Sequence, residues 1–122
     1  MIGYITLGTN DLPRAIEFYE KLFGALDAKR VFESDQGVGW GTSMQSPALG
    51  VTKPFDGKPA THGNGTMVAL AVDSKEKVDS MYELAIQLGG TDEGKPGPRG
   101  PGFYAGYFRD LDGNKLNFFC MG

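Results

Sequence analysis

The chain has 122 residues, with twelve Lys and Arg against fifteen Asp and Glu, a formal charge of −3 at pH 7. This mild acidity argues against nucleic acid, whose binders carry a clustered basic face, and the length suits one compact domain without room for separate catalytic and cofactor domains. Apolar residues make up 40% and aromatics 11%, too much for a disordered chain, while 19 Gly and 7 Pro stay under the roughly 25–30% share of low-complexity sequence.

Ile2 to Gly8 alternates as a strand, with Ile5 and Leu7 on one side and Tyr4 and Thr6 on the other. Asn10-Asp11 offers an N-cap and Pro13 fits a first helical turn. Leu12, Ala15, Ile16, Tyr19, Leu22 and Phe23 recur at helical spacing, predicting a helix over about 12–23 that Gly24 stops with a positive φ. Short strands follow at Lys29–Ser34, Val38–Thr42 and Ala48–Lys53, separated by Asp35-Gln36-Gly37 and Ser46-Pro47. Pro54 to Gly65 reads as a loop.

The pattern then repeats. Thr66–Val72 is a predicted strand. Asp73-Ser74 caps a helix striped by Val78, Met81, Tyr82, Ala85 and Leu88, and Gly89-Gly90 ends it. A short strand near Thr91–Glu93 leads into a long Gly/Pro loop over Gly94–Gly102. Tyr104–Arg109 and Lys115–Phe119 form a hairpin closed by Asp110-Leu-Asp-Gly-Asn114. Strand–helix–strand–strand–strand thus occurs twice, offset by about 63 residues, so two half-size modules are expected over about 1–55 and 66–122, with a linker over 56–65.

Asp110 to Asn114 resembles the start of a calcium loop, but Met121 stands at the twelfth position where a Glu is needed, so a tight turn is the better reading. The triplets from Gly94 are too few for a collagen helix, and a mobile binding loop carrying Arg99 is expected. Gly37-Val-Gly-Trp-Gly41 lacks a dinucleotide fingerprint; its glycines suggest close backbone approach or space above the sheet. His62, the single histidine, has no triad or metal-cluster spacing and reads as a solvated loop residue beside the alternative of a ligand or base. Cys120, the single cysteine, reads as a buried thiol and fits a reducing cytoplasm. No leader follows Met1, and no apolar run nears the ~18 residues of a membrane span.

Alternation places Tyr4, Thr6, Met67, Ala69, Asn117 and Phe119 on the face away from the helices, and Leu7, Val68, Leu70, Leu116 and Phe118 against them. The first set mixes aromatic, small and polar residues, as a small-molecule pocket does, with Arg99, Lys53 and Tyr104 as anchors. A subunit interface is the alternative.

Ile5 to Tyr19 (ITLGTNDLPRAIEFY) resembles the opening of vicinal oxygen chelate proteins, the superfamily of glyoxalase, bleomycin-resistance proteins and extradiol dioxygenases. Phe108 to Asn117 (FRDLDGNKLN) is similar to its closing hairpin, with Leu111 where the family usually has Pro. The resemblance implies an α+β fold of two paired βαβββ modules whose curved mixed sheets surround a cavity, and a homodimer. It places the family's metal-ligand positions on Tyr4, Gly50, Met67 and Asn117. None is a His or carboxylate, so no divalent metal and no other cofactor is expected.

Two functions follow from this. The first is metal-free binding of a small anionic or aromatic molecule, with Arg99 attracting a carboxylate or phosphate and Trp40, Tyr104 and Phe119 offering stacking surface. Tyr4, Lys53, Met67 and Asn117 complete that candidate binding set. The alternative is a glyoxalase-like lyase or isomerase, of lactoylglutathione-lyase type, acting on a small carbonyl or thiol adduct. Tyr4, Cys120 or His62 would then serve as acid, base or nucleophile. No nucleic-acid or membrane partner is expected.

Overall fold

Each half of the chain starts with a strand that runs into a side-chain-capped helix and returns through a three-stranded meander. The computed structural model describes residues 1–122. The chain divides into two compact units, Met1–His62 and Gly63–Gly122, called here modules 1 and 2.

Module 1 contains β1 (Tyr4–Gly8), α1 (Leu12–Gly24), β2 (Lys29–Glu33), β3 (Gly37–Gly41) and β4 (Ala48–Thr52). The Asp11 side chain caps α1 by accepting from the Arg14 amide at 3.2 Å, and Pro13 lies in the first turn. The sheet order is β1-β4-β3-β2, with β1 parallel to β4 (Tyr4 opposite Ala48) and the other pairs antiparallel. Leu7, Val38, Trp40, Leu49 and Val51 are buried on one face of that sheet, and Ala15, Phe18, Tyr19, Leu22 and Phe23 on one stripe of α1. Fully burying each large member of such a set is worth about 1.5–3 kcal/mol. The helix ends without the positive φ expected at Gly24. The chain turns instead through Ala25 as C-cap and Asp27, whose φ is 59°.

Module 2 contains β5 (Val68–Ala71), α2 (Lys75–Gln87), β6 (Thr91–Pro98), β7 (Phe103–Arg109) and β8 (Lys115–Met121). Ser74 caps α2 by accepting from the Lys77 amide at 3.1 Å, and Gly89 follows the helix at φ 109°. The sheet order is β5-β8-β7-β6, again with a parallel first pair (Val68 opposite Leu116). Val68, Phe108, Leu116, Phe118 and Cys120 are buried on the α2 side with Val78, Met81, Tyr82 and Ala85. The fold is α+β, two βαβββ modules each with its own mixed four-stranded sheet.

One expected loop is a strand. Residues 94–98 extend β6, paired with β7 through two register irregularities, between Asp92 and Gly94 and between Gly94 and Gly97. β6 is an edge strand, where Pro96 and Pro98 cost no central ladder bond and the irregularities absorb the glycines. The hairpin after β7 is a turn as expected. The buried Asp110 accepts from the backbone amides of Asp112 and Asn114, both at 2.9 Å, and from Asn114 Nδ2 at 3.0 Å. Its carboxylate is spent on closing the turn. No helix is long and apolar enough to cross a membrane.

Candidate functional site

The helix-free face of the module 1 sheet is paved with glycine. Register places Gly37 and Gly39 of β3 beside Thr52 and Gly50 of β4, and Phe32 of β2 opposite Gly39. The Phe32 ring lies over this pavement. A Cβ built on Gly39 would come within 2.2 Å of the ring, and one on Gly50 within 2.9 Å. Both positions therefore have to be glycine for the ring to lie where it does. Tyr4 stands at the ring's edge, with centroids 5.6 Å apart and planes at 63°. Tyr4 is 66% exposed and Phe32 38%, so the two rings form an open aromatic corner.

The opposite face of that sheet is closed. Trp40 packs against Tyr19 and Phe23 at 5.9 and 6.0 Å between centroids. Its indole N–H donates to Glu20 Oε2 at 2.6 Å, and Arg30 Nε donates to Glu20 Oε1 at 2.7 Å. The indole hydrogen bond, with help from Arg30, holds the Glu20 carboxyl below the usual carboxylate range. Trp40 is thus a core residue tied to α1 with no free ring face, which corrects its expected stacking role: even-numbered positions of β3 face the helix.

The helix-free face of module 2 has a different chemistry. Tyr107 of β7 lies beside Asn117 of β8, which in turn lies beside Ala69 of β5. The Tyr107 ring carries two cations, the Arg99 guanidinium at 5.5 Å and the Lys115 ammonium at 5.6 Å from its centroid. Arg99 is folded back onto β6, donating from Nη2 to the Lys95 carbonyl and from Nη1 to the Pro98 carbonyl at 3.2 Å. It rests over Gly94 and Gly97, where an added Cβ would lie 3.4 and 3.0 Å from its terminal nitrogens. Asn117 is 1% exposed, and its Oδ1 is buried with no hydrogen-bond partner. Phe119, further along β8, stacks on Phe103 at 5.5 Å.

Tyr104 does not join this group. It points to the α2 side, donating its hydroxyl to Asp79 Oδ1 at 2.7 Å, and that hydrogen bond raises its pKa. The expected anchor is therefore a strut between β7 and α2, because even-numbered residues of β7 face the helix. There it lines a cavity of about 120 Å³ with Lys75, Pro98, Phe103 and Cys120, well below the roughly 300–1,000 Å³ of ordinary ligand pockets. On the same side Tyr82 donates to Asp92 Oδ1 at 2.7 Å. Burial, then that carboxylate, pushes Tyr82 up to about 12. Arg99 also differs from expectation, since it lies pinned beside the end of a strand rather than on a free loop.

Lys53 is exposed just beyond β4, Met67 is exposed just before β5, and His62 is exposed at the end of module 1. Phe32, Tyr107 and Lys115 are the residues that sequence reasoning missed. Alternation places Tyr107 and Lys115 on the helix-free face, whereas Phe32 reaches that face only through the register shift between Arg30 and Phe32, and only the strand register reveals which glycines and cations they meet.

The family's metal positions, transferred by resemblance, fall on this chain's Tyr4, Gly50, Met67 and Asn117. The residues present do not fit a divalent ion. Gly50 has no side chain, and Phe32 crowds the space that one would enter. Met67 is a soft thioether, and a neutral Asn amide is a weak oxygen donor. No group of three or more His, Cys, Asp or Glu is placed to hold a metal elsewhere.

Two βαβββ modules, each with a capped helix on one side of a mixed sheet, define the glyoxalase fold. The model of the Glyoxalase/Bleomycin resistance protein/Dioxygenase superfamily matches residues 1–118, and the chain belongs to that superfamily. It is similar to the crystal structure of a glyoxalase/bleomycin resistance protein from Albidiferax ferrireducens T118, at 33% identity and TM-score 0.91, covering 100% of this chain and 99% of that one. A glyoxalase/bleomycin resistance protein/dioxygenase family enzyme from Burkholderia phytofirmans PsJN matches at 21% identity and TM-score 0.80, covering 98% of both chains. A glyoxalase-related enzyme from Fulvimarina pelagi matches at 23% identity and TM-score 0.78, over 98% of this chain and 87% of that one. The last two share the fold. Among curated proteins, none matches this chain.

Proposed function

We propose that the protein binds a small organic molecule with an aromatic ring, without a metal ion, on the helix-free face of module 1. The observation that carries this reading is the Phe32 ring laid over Gly39 and Gly50 with Tyr4 at its edge. Two exposed rings meeting at a steep angle offer a planar ligand one face and one edge at once. Such pairs are worth about 0.5–1.5 kcal/mol beyond the area they bury. The position that in metal-dependent relatives would carry a ligand side chain is here the glycine beneath that ring. The lyase reading has less support: Cys120 is buried on the α2 side of its sheet, and His62 is exposed outside the strands. The homodimer implied by resemblance belongs to the same proposal, and sedimentation equilibrium at twice the monomer mass is its expected result.

The test compares phenylacetate with cyclohexylacetate by calorimetric titration. Phenylacetate is expected to bind about tenfold more tightly, and Tyr4→Ala and Phe32→Ala are each expected to remove that preference. Equal affinity for both compounds overturns the proposal.

A further inference from the structure

We infer that module 2 carries a separate oxyanion subsite on its helix-free face, formed by Arg99, Lys115 and Tyr107, and that its ligand bears a hydroxyl or amino group next to the anion that donates to Asn117 Oδ1. Two cations stand on one aromatic ring, Arg99 at 5.5 Å and Lys115 at 5.6 Å from the centroid. Neither forms an ion pair with a carboxylate. On a chain of net charge −3, two cations on one ring, neither paired with a carboxylate, draw an anion to this face. Arg99 is also preorganised. Two backbone carbonyls of β6 hold its terminal nitrogens, and Gly94 and Gly97 leave room for them. A guanidinium held this way loses little freedom on meeting a carboxylate or phosphate.

Asn117 supplies the second half of the recognition. It is the cross-strand neighbour of Tyr107 and lies two residues along β8 from Lys115, so all three side chains leave the same face. Its Oδ1 is buried and without a partner. Leaving such an acceptor unsatisfied costs about 1–3 kcal/mol, which a donor brought by a ligand recovers. On the other side of Asn117 stands Ala69, which carries a single methyl and no competing polar group. The oxygen is shut from solvent in the free chain. Binding there therefore requires a neighbouring side chain to move, and Lys115 is the long flexible one on this face. The ligand class is therefore a small oxyanion with a neighbouring hydroxyl or amine, as in a 2-hydroxy or 2-amino acid.

Ringless probes test this apart from the aromatic corner of module 1. The full chain is titrated by NMR with glycolate, acetate and the uncharged glycolamide. Glycolate is expected to perturb the signals of Arg99, Tyr107 and Lys115 at millimolar concentration and to bind about tenfold more tightly than acetate, while glycolamide leaves them unmoved. Arg99→Gln and Lys115→Gln are expected to weaken both acids about tenfold or more. Asn117→Leu is expected to keep acetate affinity and erase the advantage of glycolate. Equal effects of glycolamide and glycolate overturn the anion subsite, equal affinities of glycolate and acetate overturn the role of Asn117, and unmoved signals overturn both. Loss of the phenyl preference in Tyr4→Ala and Phe32→Ala reports on module 1, and the ringless probes report on module 2, so either reading can fail while the other stands.

Discussion

The two modules repeat one scaffold but use its two faces differently. On the helix side they agree in plan. Tyr19 and Tyr82 occupy equivalent turns of α1 and α2, and both are buried. Each helix is then tied to its sheet by a hydrogen-bonded carboxylate, though not by the same means. In module 1 Glu20 of the helix receives Trp40 and Arg30 from the strands, whereas in module 2 Tyr82 of the helix reaches Asp92 on β6. On the helix-free side the agreement ends: module 1 presents glycines and two aromatic rings, and module 2 presents two cations, a tyrosine and a buried amide. The helix face is constrained by packing, where every volume change is felt. The other face has no such partner within its own module and is free to acquire a chemistry.

The largest test of this contrast is Trp40→Ala. It removes the central side chain of module 1 and strips Glu20 of its shortest hydrogen bond, and it is expected to cost about 3–5 kcal/mol in chemical denaturation. A loss under about 1 kcal/mol would show that module 1 is not organised around that indole. Gly39→Ala comes next. Its methyl enters the space of the Phe32 ring and is expected to cost about 1–3 kcal/mol. Adding Phe32→Ala to the same chain should restore most of that loss, a rescue that no change in module 2 would give.

The carboxylate ties separate with pH. Tyr82 is raised from 10.0 to about 12. The folded state therefore holds a proton that the unfolded chain releases, and this contribution is full below pH 10.0 and lost as pH rises toward 12. Tyr82→Phe should flatten that alkaline slope. Glu20 is lowered from 4.5, so its contribution is present above that pH and lost as pH falls below it. Glu20→Gln should reduce the acid slope, as measured by Tm against pH. Asp92 is lowered as well, chiefly by the Tyr82 hydroxyl, so Tyr82→Phe also trims the acid limb. The smallest expected effect is at the helix exits. Asp27 adopts φ 59° after α1, where α2 is followed by Gly89. Asp27→Gly should raise Tm slightly, a gain of up to about 1 kcal/mol.

Much of this architecture is legible in the sequence. The caps at Asp11 and Ser74, the apolar stripes of both helices and the hairpin at Asp110 all follow from local chemistry that acts over a few residues. Leu7, Val68, Leu116 and Phe118 lie on the helix side that alternation assigns. The errors fall where the deciding contact is distant in sequence. Gly94 to Pro98 has the composition of a loop, and only pairing with β7 makes it a strand. Trp40 and Tyr104 look like free aromatic surface until the register turns them toward α1 and α2. Phe32 meets Gly50, eighteen residues away, only through the strand order and the register shift after Arg30.

That strand order also governs how the chain acquires its structure. In each module the first strand waits for the last: Tyr4 pairs with Ala48, and Val68 with Leu116. Local meanders close early and such parallel partners late, since the long intervening segment must be ordered first. Hydrogen exchange should therefore find the outer amides of β1 and β5 opening before those of β3 and β7. Because no strand of either sheet is borrowed from the other half, the first module has every strand it needs once Thr52 has left the ribosome, and it can complete its sheet while the second is still being translated.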